Sequence, residues 1–198
     1  HAATQENLAV RDQLTGLHNR RFLDEYLPKR LAELARYPTE GENNPGLAAI
    51  TVDLDYFKKI NDQHGHQVGD RALQIMADVL GSLIRSEDVL ARTGGDEFLI
   101  IMNTNELGKL IQHIYGETNE KDFKGVAEGS WMRQVNEALD TKLKEVFGNE
   151  VVWEPALFDN VSTYFTYGVA IRGAGVLRGL RPEQLVIECS SLLGESDN

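Results

Sequence analysis

Hydrophobic residues recur at helical spacing in five parts of the chain. In the first, after Asn19, they recur every three to five positions, and Pro28 is a point where we expect this helix to kink. The same spacing predicts four further helices, at Gly69–Arg85, Glu106–Tyr115, Trp131–Phe147 and Arg181–Leu193. The turn-forming stretch Tyr37–Gly46 and the charged stretch Gly116–Gly129 show no periodicity, and we predict loops there.

Short apolar runs, several of them rich in β-branched residues, predict the strands. These runs are Leu47–Leu54, Val89–Arg92, Phe98–Met102 and Val161–Ile171. The pair Gly94-Gly95 lies between the second and third runs, so we predict that these two strands form a β-hairpin. Because strands alternate with helices, the chain is expected to fold as an α/β sandwich around a single sheet.

The composition is that of an ordinary globular protein, and the charge argues against some partners. The 198 residues suffice for one substantial domain, with 41% hydrophobic and 26% charged residues. The formal net charge of −11 argues against binding to nucleic acid or to an anionic membrane. A protein this acidic needs a local cation if its substrate is a polyphosphate.

The cellular setting and the limits of the domain follow from a few further features. The single cysteine, Cys189, fits a reducing compartment, so we expect a cytoplasmic domain, alone or as part of a larger membrane-anchored protein. No apolar run reaches the roughly 18 residues of a membrane helix, and no signal peptide is visible. We expect residues 1–10 to be a linker or a tag remnant, and residues 11–198 to form the domain.

Carboxylates at the ends of strands are the candidate chemistry. Asp53 and Asp55 close the first strand, and Asp96 and Glu97 are expected on the hairpin turn beside the two glycines. If the two strands are neighbours, the acids converge, and like charges about 4 Å apart repel by roughly 4 kcal/mol at an effective dielectric of about 20. A hard cation such as Mg²⁺ relieves that repulsion. The alternative, which composition and spacing leave open, is that these acids only solvate strand ends.

Four motifs, in order along residues 11–102, resemble the GGDEF family of diguanylate cyclases. They are the opening segment Asp12–Arg21 (DQLTGLHNRR), the segment Asp53–Asp62 (DLDYFKKIND), its continuation His64–Asp70 (HGHQVGD) and the signature Arg92–Phe98 (RTGGDEF). The resemblance implies an α/β fold related to nucleotidyl cyclases and the polymerase palm, with the signature loop on a β-hairpin. It also implies condensation of two GTP into cyclic di-GMP with release of two pyrophosphates.

The resemblance assigns roles to individual positions. Asp53, the backbone carbonyl of Leu54, and Asp96 match metal ligands for Mg²⁺ or Mn²⁺. Asp96 also matches the base for the attacking 3′-hydroxyl, with Glu97 as a second catalytic acid. The positions implied to bind substrate are Asn61 and Asp70 for guanine, and Phe57, Lys58, Gly94 and Gly95 near the phosphates.

The segment Arg85-Ser86-Glu87-Asp88 has the register of the family's RxxD site, where cyclic di-GMP binds and inhibits. Arginine offers the planar donors that a phosphate or a guanine edge needs, and the bland alternative for Arg85 and Asp88 is a local ion pair. Since one domain holds one GTP, the resemblance implies a homodimer, with an upstream sensory or regulatory domain as a further partner.

The sequence also departs from the family pattern. The segment after the hairpin is longer than usual around Gly116–Gly129, Thr166-Tyr167-Gly168 replaces the usual Ser-x-Gly, and the closing ALYxAKxxGR helix is absent. We expect the last departure to reflect truncation after Asn198. Two other functions stay open: a silent domain that binds GTP or cyclic di-GMP as a sensor, and an enzyme that makes an adenine-containing dinucleotide, against which Asp70 argues.

Overall fold

A computed structural model describes residues 9–36, 45–115, 130–148, 150–151, 153, 156–158 and 161–173. The chain divides into two compact units. The first comprises His1–Val52, Arg85–Leu110 and Tyr167–Asn198, and the second comprises Asp53–Ile84 and Ile111–Thr166.

Helices and strands alternate along the described residues. The helices are α1 (Arg20–Leu34), α2 (Phe57–His64), α3 (His66–Ser82), α4 (Leu107–Tyr115) and α5 (Trp131–Phe147). The strands are β1 (His18–Asn19), β2 (Gly46–Leu54), β3 (Val89–Arg92), β4 (Glu97–Thr104), β5 (Ala156–Phe158), β6 (Val161–Thr163) and β7 (Phe165–Gly173). The predicted α/β class is confirmed.

The first unit is built on a five-stranded sheet with the order β1-β3-β4-β2-β7. The sheet is mixed, because β1 pairs with β3 in parallel while β3 pairs with β4 antiparallel, with Leu90 opposite Ile100. The predicted hairpin around Gly94-Gly95 is therefore confirmed. In this sheet β4 lies next to β2, as the sequence argument for converging acids required.

Helix α1 packs one apolar face against the sheet of the first unit. It begins after Asn19, whose side chain accepts a hydrogen bond from the Phe22 backbone N–H at 3.2 Å, and it continues through Pro28. Its buried leucines follow helical spacing and share a core with residues of three strands: Leu23, Leu27, Leu31, Leu34, Leu47, Ala49, Val89, Ala91, Leu99 and Ile101. Burying each such leucine stabilises the unit by about 2 kcal/mol.

The second unit contains α2, α3 and α5. A side-chain cap stabilises the start of α5, and a tryptophan hydrogen bond connects α5 to the end of α3. The Ser130 side chain accepts from the Arg133 N–H and caps α5. Trp131, the first residue of α5, donates its indole N–H to the Leu83 carbonyl oxygen just beyond α3, at 2.7 Å. The predicted limits of α5 are confirmed, with Val135, Leu139 and Leu143 buried at spacings of four.

The limits of one predicted helix in this region are wrong: the helix predicted at Gly69–Arg85 runs from His66 to Ser82, with Gly69 inside it. The polar segment before it, for which no element was predicted, forms α2, which buries only Ile60 and so gave no apolar pattern. Gly65, at φ +85°, separates the two helices in a conformation that favours glycine.

The single strand predicted at Val161–Ile171 is divided in two. β6 pairs with β5 in a separate two-stranded sheet, whereas β7 joins the larger sheet. The break falls at Tyr164, whose backbone N–H binds the Asn136 side chain and whose carbonyl accepts from Asp55. The helix predicted at Arg181–Leu193 and the loop at Gly116–Gly129 lie outside the described residues, as does most of the loop at Tyr37–Gly46. Within the described part, no helix is long and apolar enough to span a membrane.

Candidate active site

The signature turn between β3 and β4 is a closed, acidic loop. Asp96 lies in the turn, and the Thr93 N–H closes it by donating to the Glu97 carbonyl oxygen at 3.0 Å. Glu97 is the first residue of β4, so the prediction that both acids lie on the turn is wrong for Glu97. Both side chains are half-buried, next to the end of the paired segment of β3 and β4.

The absence of a side chain at Gly94 leaves room for the Glu97 carboxylate. A Cβ placed at Gly94 would lie 2.7 Å from Glu97 Oε2, which is closer than real Cβ contacts. A Cβ at Gly95 would meet nothing within 4 Å. Gly94 therefore lets the Glu97 carboxylate fold over the turn, while Gly95 leaves one exposed stretch of backbone open to a ligand.

Arg92 ties this turn to the opening motif of the chain. Its Nε and Nη2 donate to the Gly95 carbonyl oxygen at 3.1 and 2.7 Å, and its Nη1 donates to the Asp12 carboxylate at 3.1 Å. Burial alone would raise the pKa of Asp12, but hydrogen bonds from Thr15 and the Arg92 guanidinium outweigh it and hold that pKa below its ordinary value. The Arg92 side chain is only 14% exposed, so its guanidinium is largely buried against the turn that it stabilises.

In the second unit, the backbone of Asp55 is held on two sides. The Asp55 N–H donates to the Tyr164 carbonyl oxygen, and the Trp153 indole N–H donates to the Asp55 carbonyl oxygen, both at 3.0 Å. Asp53 is half-buried at the end of β2, and Leu54 is buried. Carboxylate and carbonyl oxygens are hard donors, so the residues predicted as metal ligands fit Mg²⁺ by their chemistry.

A second group of predicted residues meets where α2 faces α3. A Cβ at Gly69 would collide with the Asn61 side-chain oxygen and lie 3.2 Å from the Phe57 ring. The Asn61 Oδ1 atom is buried and has no hydrogen-bond partner among the described residues. Asp70 and Lys58 are exposed at the ends of these helices. The structure thus brings Asn61, Phe57 and Gly69 together.

The predicted RxxD pair adjoins a cleft in the first unit. The cleft has a volume of about 520 Å³ and is lined by Arg85, Glu87, Asn103, Thr104, Asn105, Glu106, Lys109 and Leu110. Arg85 is exposed at its rim, whereas Asp88 accepts from the backbone N–H groups of Arg85 and Asn103 at 3.0 and 3.1 Å. Burial raises the pKa of Asp88 in spite of these bonds. Asp88 therefore fixes the shape of the turn that presents Arg85.

Sequence reasoning missed two of these contacts. Trp153 lies outside the four motifs, and Asp12 was identified only as part of the opening motif, because nothing local in the sequence indicates the distant residue that each one binds. Among the described residues, no group of three or more His, Cys, Asp or Glu side chains is arranged to hold a metal ion. The predicted convergence of Asp53, Asp96 and Glu97 into one such group is therefore not confirmed. The expected ligand set itself has only two carboxylates, completed by the Leu54 carbonyl, and stays a prediction.

The mixed sheet and its acidic glycine hairpin belong to the α/β class of nucleotidyl cyclases and polymerase palms. Comparison with known proteins narrows the class to one family. Residues 9–124 match the family described as "Diguanylate cyclase, GGDEF domain", and the chain belongs to that family. The expected family is confirmed.

Sequence similarity to individual relatives covers about half of the chain and supports its membership of this family. The response regulator PleD of Caulobacter vibrioides is 44% identical over 105 residues, which are 53% of this chain and 22% of PleD. Diguanylate cyclase DgcS of Shewanella oneidensis is 39% identical over 113 residues, which are 56% of this chain and 36% of DgcS. The matched region thus spans about a fifth to a third of these relatives.

Solved structures share the fold at lower identity. The coiled-coil and GGDEF domain of DgcB from Caulobacter crescentus, in complex with c-di-GMP, has a TM-score of 0.60 at 23% identity, covering 98% of this chain and 83% of that one. The GGDEF domain of TpbB (YfiN) from Pseudomonas aeruginosa has a TM-score of 0.59 at 24% identity, with coverages of 92% and 86%. The expected fold is confirmed.

Proposed function

We propose that the protein is a diguanylate cyclase that condenses two GTP into cyclic di-GMP and releases two pyrophosphates. The observation that carries the proposal is the intact Gly94-Gly95-Asp96-Glu97 hairpin, closed by backbone pairing and tied to Asp12 through Arg92. Asp96 in the turn and Glu97 at the start of β4 are both half-buried, beside a turn that the Arg92 guanidinium stabilises, and this intact arrangement favours an active cyclase over a silent domain.

Asp96 is the residue that we assign to the chemical step. Its carboxylate accepts the proton of the attacking 3′-hydroxyl, and that oxygen then attacks the α-phosphate of the second GTP in line. Glu97 supplies a second acidic group beside it. Gly95 exposes backbone at the turn, which favours close approach of the phosphates, and Lys58 offers an exposed cation for them.

The residues proposed to hold Mg²⁺, or Mn²⁺, are Asp53, Asp96 and the Leu54 carbonyl. This set supports a hard cation because all its donors are oxygen atoms. When bound, such an ion neutralises phosphate charge and stabilises the leaving pyrophosphate. A bound cation would also offset the repulsion between a polyphosphate and a chain with a net charge of −11.

Guanine is proposed to bind beside α2 and α3. A buried acceptor with no partner costs about 1–3 kcal/mol, so Asn61 Oδ1 gains by accepting from a donor of the base. The exposed Asp70 carboxylate can accept from both the N1–H and the N2–H₂ group of guanine, a pair that adenine lacks. Asp70→Ala is therefore expected to reduce the preference for GTP over ATP.

Two GTP molecules require two domains, so we propose that the active species is a homodimer brought together by an upstream regulatory domain. Cyclic di-GMP is proposed to inhibit it by binding at Arg85 in the cleft of the first unit. The exposed guanidinium supports this assignment, since it offers planar donors to a phosphate or to guanine.

The test is to incubate the protein with Mg²⁺ and GTP, ATP or both, and to separate the products by chromatography with mass detection. Cyclic di-GMP formed from GTP, and abolished by EDTA, supports the proposal. Bound but unconverted GTP would instead identify a silent sensor. A mixed or adenine dinucleotide as the main product would overturn the assignment of guanine recognition to Asp70.

A further inference from the structure

The backbone of Asp55 is held on both sides by an aromatic pair of the second unit that lies outside the signature motifs. Tyr164 binds the Leu54–Asp55 peptide, and Trp153 binds the next peptide, Asp55–Tyr56. Trp153 donates its indole N–H to the Asp55 carbonyl oxygen, and the Tyr164 carbonyl oxygen accepts from the Asp55 N–H, both at 3.0 Å. The two rings meet edge to face, with centroids 6.5 Å apart and planes at 86°. Both residues are 8% exposed, so these bonds lie in a largely dry environment.

The direction of the Asp55 N–H also sets the direction of the Leu54 carbonyl. These two groups belong to one planar peptide, in which the N–H and the C=O of a trans bond point to opposite sides. With the Asp55 N–H on the Tyr164 carbonyl, the Leu54 oxygen must point away from Tyr164. That oxygen is the backbone ligand proposed for the metal ion.

The backbone just after this peptide is strained, which raises the need for outside support. Tyr56 has φ 58°, the one positive φ of a non-glycine residue in the described part, and the chain turns there from β2 into α2. A left-handed conformation costs about 1–2 kcal/mol for an ordinary residue. Such strain persists only where the surroundings fix it, and Trp153 fixes the carbonyl immediately before Tyr56.

Tyr164 is in turn held by two residues one helical turn apart on α5. The Asn136 side-chain oxygen accepts from the Tyr164 N–H at 3.2 Å, and Asp140 accepts from the Tyr164 hydroxyl at 2.5 Å. Asn136 is 9% exposed. The start of α5 is itself attached to the Leu83 carbonyl through Trp131. A continuous set of hydrogen bonds therefore runs from α5 to the Leu54–Asp55 peptide.

We infer that Tyr164, Asn136 and Trp153 are positioning residues for the metal site. Tyr164 orients the Leu54 carbonyl through the Asp55 N–H, Asn136 holds Tyr164, and Trp153 keeps Asp55 in place by holding the adjoining Asp55–Tyr56 peptide. The inference rests on the proposed cyclase function and its assignment of Leu54 as a ligand. It extends the active site to residues that lie outside the four motifs and carry no ligand of their own.

The decisive comparison is between Trp153→Phe and Trp131→Phe. Each substitution removes one indole N–H from a backbone carbonyl and keeps a buried aromatic ring, but only the first carbonyl belongs to the metal-site segment. Binding of Mn²⁺ is measured by electron paramagnetic resonance, with the α,β-methylene analogue of GTP bound. We expect Trp153→Phe to bind Mn²⁺ about tenfold more weakly, as for loss of an outer-sphere partner. Trp131→Phe is expected to bind like the wild type.

The Mg²⁺ dependence of turnover is a second measurement, and it would not change if Trp153 only stabilised the fold. For Trp153→Phe, the loss of cyclic di-GMP formation at low Mg²⁺ should be recovered at high Mg²⁺, with little change in kcat. If Trp153→Phe does not fold, as judged by circular dichroism, Asn136→Ala is titrated instead and should weaken Mn²⁺ binding in the same direction.

Unchanged Mn²⁺ binding in the folded variant, or equal losses in both tryptophan variants, would overturn the inference. A wild type that binds Mn²⁺ but makes no cyclic di-GMP would sink the proposed function alone, because the comparison of Mn²⁺ affinities stays valid without turnover.

Discussion

Arg92 Nη1 lies 3.1 Å from Asp12 Oδ1, while the other two donors of the same guanidinium hold the Gly95 carbonyl oxygen. The two residues are 80 positions apart in the chain. One planar side chain therefore connects the opening motif with the turn that carries Asp96. The shape of that turn depends on a fork of donors that only arginine provides.

Arg92→Lys should lower both stability and activity. An ammonium group keeps the charge but cannot bond Asp12 and Gly95 with the same geometry, so we expect a loss of about 1–2 kcal/mol in the free energy of unfolding. We also expect a fall of about tenfold in cyclic di-GMP formation. Arg133→Lys is the matched control, because Arg133 makes an exposed pair with Glu137 on α5. Equal effects of the two substitutions on turnover would contradict this role for Arg92.

The pair Arg92–Asp12 also predicts how the stability of the fold depends on pH. The folded-state pKa of Asp12 lies below its ordinary value of 3.8, so the unfolded chain takes up a proton first. The stabilisation is therefore complete above about pH 4 and is lost as the pH falls through the folded-state pKa. In urea unfolding, the difference in free energy between wild type and Asp12→Asn should shrink across that window. If the difference in free energy of unfolding between wild type and Asp12→Asn stays constant down to pH 3, the lowered pKa of Asp12 does not contribute to stability.

Asp96→Ala and Glu97→Ala should each stop catalysis while the fold survives. Both acids are only half-buried, Asp96 in the turn and Glu97 at the start of β4, and neither belongs to the leucine-rich core. Loss of a group that acts on the reacting atoms should cost at least about 100-fold in kcat. Glu145→Ala, at an exposed acid paired with Lys142, is the control. Either site variant with near-normal turnover would remove that residue from the mechanism.

Sequence reasoning predicted what repeats locally or matches a motif, and little that depends on distant contacts. The spacing of Val135 and Leu139 was enough to place α5, and the signature was enough to place Asp96. By contrast, the bond from Trp153 to Asp55 joins residues 98 positions apart, and no periodicity encodes it. Helix α2 was missed because it buries one apolar side chain only, and its polar residues read equally well as a loop.

The contact of Asn61 with α3 predicts a steric effect on nucleotide binding. Gly69→Ala places a methyl group on the Asn61 side-chain oxygen, so Asn61 must move and GTP should bind about tenfold more weakly. In an Asn61→Ala background the same substitution should cost much less, since the colliding atom is gone. A double-mutant cycle of GTP affinities measures this coupling. Additive effects would show that Gly69 acts independently of Asn61.

Arg85→Ala should relieve inhibition by cyclic di-GMP and leave turnover intact. Arg85 is exposed at the rim of the 520 Å³ cleft, with Lys109 as the second cation among the lining residues. Lys109 is paired with Glu106 on an exposed surface, and such pairs are weak, at about 0–1 kcal/mol, so this partner can reorganise around a phosphate. Asp88 is a poorer test, because it accepts from two backbone N–H groups and its loss would disturb the turn itself.

The measurement is the rate of GTP conversion at fixed substrate and rising cyclic di-GMP. Arg85→Ala should need at least about tenfold more product for half-inhibition, the loss expected when a charged hydrogen-bonding partner is removed. Arg133→Ala, at an exposed arginine on α5, is the control and should be inhibited like the wild type. Because Arg85 lies outside the signature turn, its removal leaves Asp96 and the Arg92 contacts in place, and the uninhibited rate should not change. If the wild type and Arg85→Ala are inhibited equally, Arg85 is a surface charge, and product inhibition must be sought elsewhere.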